Sequence, residues 1–146
     1  MVAKVDPLQL VAWARETIGT PYQHQQRVAG LALDCAGVPA YIGCKLGMEF
    51  ADPANYGRLP DPQTMKKSLD DNLVRVPKES MQVGDLVWMT FETDPQHLGI
   101  LGDYPHGGFS LIHAYNGSGL NKVVEHRLDE VWEKRIAGVW RYPGVA

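Results

Sequence analysis

Three side chains have the types and order that acyl-transfer chemistry needs: Cys35, His97 and His113. Cys35 lies in Leu33-Asp34-Cys35-Ala36-Gly37-Val38, where a loop of Gly, Arg and Gln residues passes into an apolar, helix-like run. A thiol in the first turn of a helix meets the positive end of the helix dipole and unpaired backbone N–H groups. Both favour the thiolate, the nucleophilic form. His97 and His113 flank a loop. If their strands form a hairpin with residues 101 and 109 opposed, 97 faces 113 and the Cβ atoms are about 5 Å apart on one face. A slip of one residue would turn the two rings to opposite faces. One imidazole would then take the thiol proton while the second holds the first in the correct tautomer. The helix carrying Cys35 has to bring its N-terminus onto that face. The Cys35 N–H and a second donor, for which Tyr22 is the candidate, would hold the oxyanion. Such a donor is worth about 3 kcal/mol in the transition state.

The elements that must position these groups follow from the pattern. Asp6 caps and Pro7 opens a first helix whose apolar stripe is Leu8, Val11, Ala12 and Ile18, and Gly19 stops it. Residues 20–32 read as a polar loop. Asp34 caps a second helix over 35–46 that ends at Gly47, with Pro39 in its opening turns able to shift the start. Residues 48–62 read as an extended surface loop, and 64–72 as a short third helix with Met65 and Leu69 at i, i+4. After Asn72 the period becomes strand-like: 86–91, 97–101, 110–115, 122–126 and 136–141. Helices first and strands second, with short links between strands, predict an α+β fold with a mostly antiparallel sheet.

Composition narrows the functional classes. The 146 residues suit one domain, 1–146, with a substantial core. A formal charge of −3 and no Lys/Arg block longer than a pair exclude a nucleic-acid groove. No apolar run approaches the roughly 20 residues of a membrane helix. Asp6 and Pro7 stand where a signal peptide needs an apolar core, so synthesis in the cytoplasm and export by another route are expected. The two cysteines, Cys35 and Cys44, would point to opposite faces of one helix and cannot bond to each other. Cys44 reads as a small buried hydrophobe.

Five histidines and two cysteines show no metal-ligand spacing, so no metal site is expected beyond a weak adventitious one at His97/His113. His24 reads as a solvated loop residue and His106 as an exposed turn residue. His126, between Glu125 and Arg127, reads as a surface residue. Trp13, Trp88, Trp132 and Trp140 are expected to pack the core. The residues alone leave three functions open: a cysteine hydrolase, an idle binding module on the same scaffold, and an acyltransferase that resolves its thioester with an amine or alcohol.

The strings Ile18-Gly-Thr-Pro-Tyr22, Asp34-Cys35-Ala-Gly37, Gly84-Asp85-Leu-Val87, His97-Leu-Gly-Ile-Leu101 and Ile112-His113-Ala114, in that order, resemble the NlpC-type cell-wall cysteine peptidases. The loop Tyr22-Gln-His-Gln-Gln-Arg27 and the tail Val124-Glu-His-Arg-Leu128 look most like the phage-tail branch of that family. The resemblance implies a papain-like fold, with N-terminal helices packed on a five- to six-stranded sheet. It implies Cys35 as nucleophile, His97 as general base and acid, His113 as the orienting third member, and Tyr22 beside the active site. The implied activity is hydrolysis of an amide in the peptidoglycan stem peptide, between D-γ-glutamate and a diamino acid, with no metal or organic cofactor. Phage tail proteins would then be partners that carry the domain to the wall. The sequence departs from the family at Ala36, where the family usually has Ser, and at Gln25-Gln26, where it often has a Gly-Gly pair.

Overall fold

Asp6 and Pro7 begin the first helix as their chemistry dictates. The Asp6 carboxylate accepts from the Leu8 N–H at 2.8 Å, and α1 runs Pro7–Arg15 with Leu10, Val11 and Ala14 buried. The computed structural model describes residues 4–21, 27–28, 32–33, 37–48, 62–91, 94–117 and 120–145. Two short strands, β1 (Arg27–Val28) and β2 (Ala32–Leu33), pair antiparallel within the stretch expected to be a loop. The second helix, α2, is Gly37–Lys45. It starts late enough that Pro39 is its third residue, where the missing N–H costs no intrahelical bond. The third, α3, is Pro62–Asn72, and its first residue is the proline that suits such a start.

The rest of the chain is one sheet. Its strands are β3 (Val74–Val76), β4 (Leu86–Phe91), β5 (Asp94–Asp103), β6 (Phe109–Gly117), β7 (Leu120–Arg127) and β8 (Ile136–Arg141). The order is β3-β8-β4-β5-β6-β7, and each adjacent pair is antiparallel. A four-residue helix, α4 (Glu130–Glu133), links β7 to β8. The strand pattern did not reveal β3 or α4, because each is too short to show a period.

Alternation along the strands divides the sheet into two faces. Leu86, Trp88, Leu98, Ile100, Ile112, Ala114, Val123 and Trp140 share a core with Leu10, Val11 and Ala14 of α1 and Val38 and Ile42 of α2. Val87, Met89, Leu101, Leu111, Ile136 and Val139 form a second core on the other face, with Trp132 packed against it. Cys44, expected to be buried, is exposed. The α2 residues that face inward are Gly37, Val38, Pro39, Ile42 and Gly43, which leaves position 44 on the outer side of the turn.

The sequence string Gly84-Asp85 earns its place structurally. Gly84 sits at φ +92° against Pro7 of α1, a backbone conformation that favours glycine. Asp85 is buried, accepts from the Gln82 N–H, and takes two hydrogen bonds from the Arg141 guanidinium at 2.8 and 2.9 Å. This pair locks the start of β4 to the end of β8.

Candidate active site

His97 and His113 meet. The His97 Nε2 and His113 Nδ1 atoms are 2.5 Å apart, and the rings are edge to face with centroids at 4.8 Å. The expected register is corrected: Leu101 pairs with Leu111 and Asp103 with Phe109, so the turn is 104–108 and the pairing is shifted by two residues. A shift of two keeps both rings on one face, because side chains alternate with period two. The rings therefore meet diagonally rather than directly across. Gly99 makes room for this. A Cβ there would stand 2.6 Å from Leu111 Cδ1 and 3.4 Å from His113 Cβ.

A third ring joins them. His126 lies on β7 opposite Leu111, and its Nε2 is 2.8 Å from His113 Nε2. Its Nδ1 donates to the Arg127 carbonyl oxygen at 2.9 Å. The expectation that His126 is merely a surface residue is thus corrected: it is half-buried and hydrogen-bonded into the pair. One signal was available, since alternation along 122–126 gives 124 and 126 the same face, but no sequence feature showed that β7 lies beside β6.

Trp132 closes over this cluster. Its ring lies 5.1 Å from His113, 4.9 Å from His126 and 5.7 Å from Tyr115, and the Arg135 guanidinium stacks on it at 4.7 Å. The tryptophan is aimed by α4, whose first turn is capped by Asp129 accepting from the Trp132 N–H at 3.0 Å. Trp132 is half-buried and, besides packing against the second core as expected, covers the histidines. Trp88 and Trp140 are core residues as expected, and His106 is exposed.

Burial sets the charge state of the pair. His113 is fully buried and His97 nearly so. Removing water disfavours the imidazolium, so burial lowers both pKa values, helped at His97 by the Arg135 and His126 charges and at His113 by His97 and His126. Neutral rings are what a general base and its orienting partner require.

The other sequence candidates lie outside the described residues: Cys35, Tyr22, Asp34 and His24. The chain leading to them is placed. Pro21 bridges to Lys122 on β7, and the Gly19 N–H donates to the Val123 carbonyl, so the segment before Tyr22 runs along the β7 edge. The body of α2 packs on the face opposite the rings. The N-terminal turn of that helix, which is the part expected to reach the rings' face, lies outside the described residues.

A family model described as the NlpC/P60 family matches residues 19–141. Among solved structures, an NlpC/P60 family protein from Bacillus cereus ATCC 10987 is 21% identical with a TM-score of 0.67, covering 97% of this chain and 41% of its own. An NLP/P60 family protein similar to lipoprotein from Staphylococcus aureus subsp. aureus Mu50 is 19% identical, with a TM-score of 0.64, 97% of this chain and 43% of its own. The chain thus spans about two fifths of the length of each of these two. The NlpC/p60 domain of the peptidoglycan hydrolase SagA is 20% identical with a TM-score of 0.63, and the match covers 93% of this chain and 98% of that domain. No curated protein is matched by sequence. The architecture is the papain-like α+β fold of these neighbours, and the chain belongs to the NlpC/P60 family.

Proposed function

We propose that the protein is a cysteine endopeptidase that hydrolyses an amide in peptidoglycan stem peptides, of the D-γ-glutamyl–diamino acid type. The observation that carries this reading is the buried His97–His113 contact at 2.5 Å, in a chain that belongs to the NlpC/P60 family. That a structural neighbour is a domain of a peptidoglycan hydrolase supports the substrate class.

In this reading the Cys35 thiol gives its proton to His97 at Nδ1, the ring nitrogen other than the one that meets His113. The thiolate attacks the carbonyl carbon, and the oxyanion is held by the Cys35 N–H with Tyr22 as a second donor. Collapse expels the amine, which takes the proton from His97, and leaves a thioester. Water then gives its proton to His97 and attacks the thioester. The carboxylic acid leaves as the proton returns to sulfur. His113 holds the His97 ring in place through Nε2. No metal or organic cofactor takes part. The stem peptide is the partner, and phage tail proteins are the proposed carrier from the bacterial cytoplasm to the wall.

Digestion of purified peptidoglycan by wild type and Cys35→Ala, with mass spectrometry of the fragments, tests the reading. Wild type is expected to release muropeptides cut at that amide and the variant none. Wild-type digests without new fragments would refute it. Iodoacetamide labelling at pH 6 checks the nucleophile separately, since an unperturbed thiol is almost fully protonated there.

A further inference from the structure

The reaction above uses His97 and His113 and leaves His126 without a role. We infer that His126 is a positioning residue: with the Arg127 carbonyl behind it, it fixes through His113 which nitrogen of His97 carries the lone pair. Its catalytic consequence rests on the peptidase reading, whereas the tautomer assignment does not.

The argument is one of donors and acceptors. A carbonyl oxygen only accepts, so the 2.9 Å contact makes His126 Nδ1 the protonated nitrogen. When His126 is neutral its imidazole has one N–H, so Nε2 carries a lone pair. The His113 Nε2 atom, 2.8 Å away, must therefore donate. That leaves the lone pair of His113 on Nδ1, and the facing His97 Nε2 donates to it across 2.5 Å. The lone pair of His97 then resides on Nδ1. Three hydrogen bonds point the same way, from His97 to His113 to His126 to the main chain.

The direction matters because a His97–His113 pair alone has two solutions. With His113 protonated on Nδ1, the bond between the rings reverses, His97 is protonated on Nδ1, and it has no lone pair there to receive a thiol proton. The same atoms in the same places would then be inert as a base. The third ring selects between the two. The ring of Trp132, against both His113 and His126, holds the planes that make the selection geometric as well as electronic.

Long-range proton–nitrogen correlation spectra of the histidine-labelled full chain at pH 8 test this directly. Wild type is expected to show His97 and His113 protonated at Nε2 and His126 at Nδ1. In His126→Gln the amide oxygen can accept from His113, so the His97 and His113 tautomers and kcat are expected to stay within a few-fold of wild type. In His126→Lys the new group only donates. Both His97 and His113 are then expected to switch to Nδ1–H, and kcat on peptidoglycan fragments to fall about 100-fold with KM nearly unchanged. Wild-type His113 protonated at Nδ1 overturns the inference, and this needs no variant to fold. Unchanged tautomers in a folded His126→Lys protein overturn it too. A wild type that cleaves nothing yet shows the expected tautomers, and their switch in His126→Lys, refutes the peptidase reading and sustains this one.

Discussion

Two buried imidazoles make stability depend on pH in a defined direction. Burial lowers the folded pKa of His97 and His113, while the unfolded chain titrates near the ordinary histidine value of about 6.5. Below that value the unfolded state binds more protons than the folded state, so stability falls as pH falls. It is fully present above about pH 6.5 and lost as pH descends toward the folded values. The expected slope approaches about 1.4 kcal/mol per pH unit for each ring. Urea unfolding at intervals from pH 7.5 to 4.5 measures it. The double variant His97→Gln/His113→Gln is expected to show a shallower slope, and equal slopes would remove the two rings as its source. At this scale the sequence was informative about type and poor about number. His97 and His113 announced themselves by flanking one loop. His126 did not, because its partner His113 lies thirteen residues away on the neighbouring strand, and its charged neighbours Glu125 and Arg127 face elsewhere. Glu125 points to the α1 side, where Arg15 and Ser110 bond it at 2.9 and 2.6 Å.

Among the elements, the join between β4 and β8 carries a charged pair with one member buried. Asp85 has almost no contact with water and is held by both the Gln82 N–H and the Arg141 fork. Asp85→Ala removes a bidentate, charge-assisted pair and leaves Arg141 to be solvated at the rim. We expect a loss of about 2–3 kcal/mol, read as a lowered urea midpoint with unchanged m-value. An effect under about 0.5 kcal/mol would show that the clamp is incidental. The helices and long strands were legible because caps, prolines and alternation mark them locally. The register of β5 on β6 was not, because loop length does not fix it. Only packing around Gly99, where Leu111 and His113 take the space of a missing side chain, shows why the pairing is shifted by two residues.

For the molecule as a whole, the sheet is a wall between two interiors, and damage to either should have separable effects. Leu111 and Ile112 are adjacent, both fully buried, and belong to opposite faces. Truncating either to Ala is expected to cost about 2–5 kcal/mol. Only Leu111→Ala, on the side of the three rings, is expected to alter histidine ring signals and lower kcat beyond what the unfolded fraction explains. Ile112→Ala is expected to leave both unchanged in the folded fraction. Matching effects of the two substitutions on ring spectra would mean that the faces are not independent. Which side of the sheet receives the helices was not legible in the sequence, because both faces of the central strands are apolar.

The last acceptor in the histidine series is a peptide oxygen, the carbonyl of Arg127. No codon change removes it. Mutation can exchange any of the three rings, yet the terminus that sets the sense of the series persists under every substitution that keeps β7 in place. A lineage drifting at these positions would therefore find replacements able to accept from His113 at position 126 far more readily than replacements that only donate.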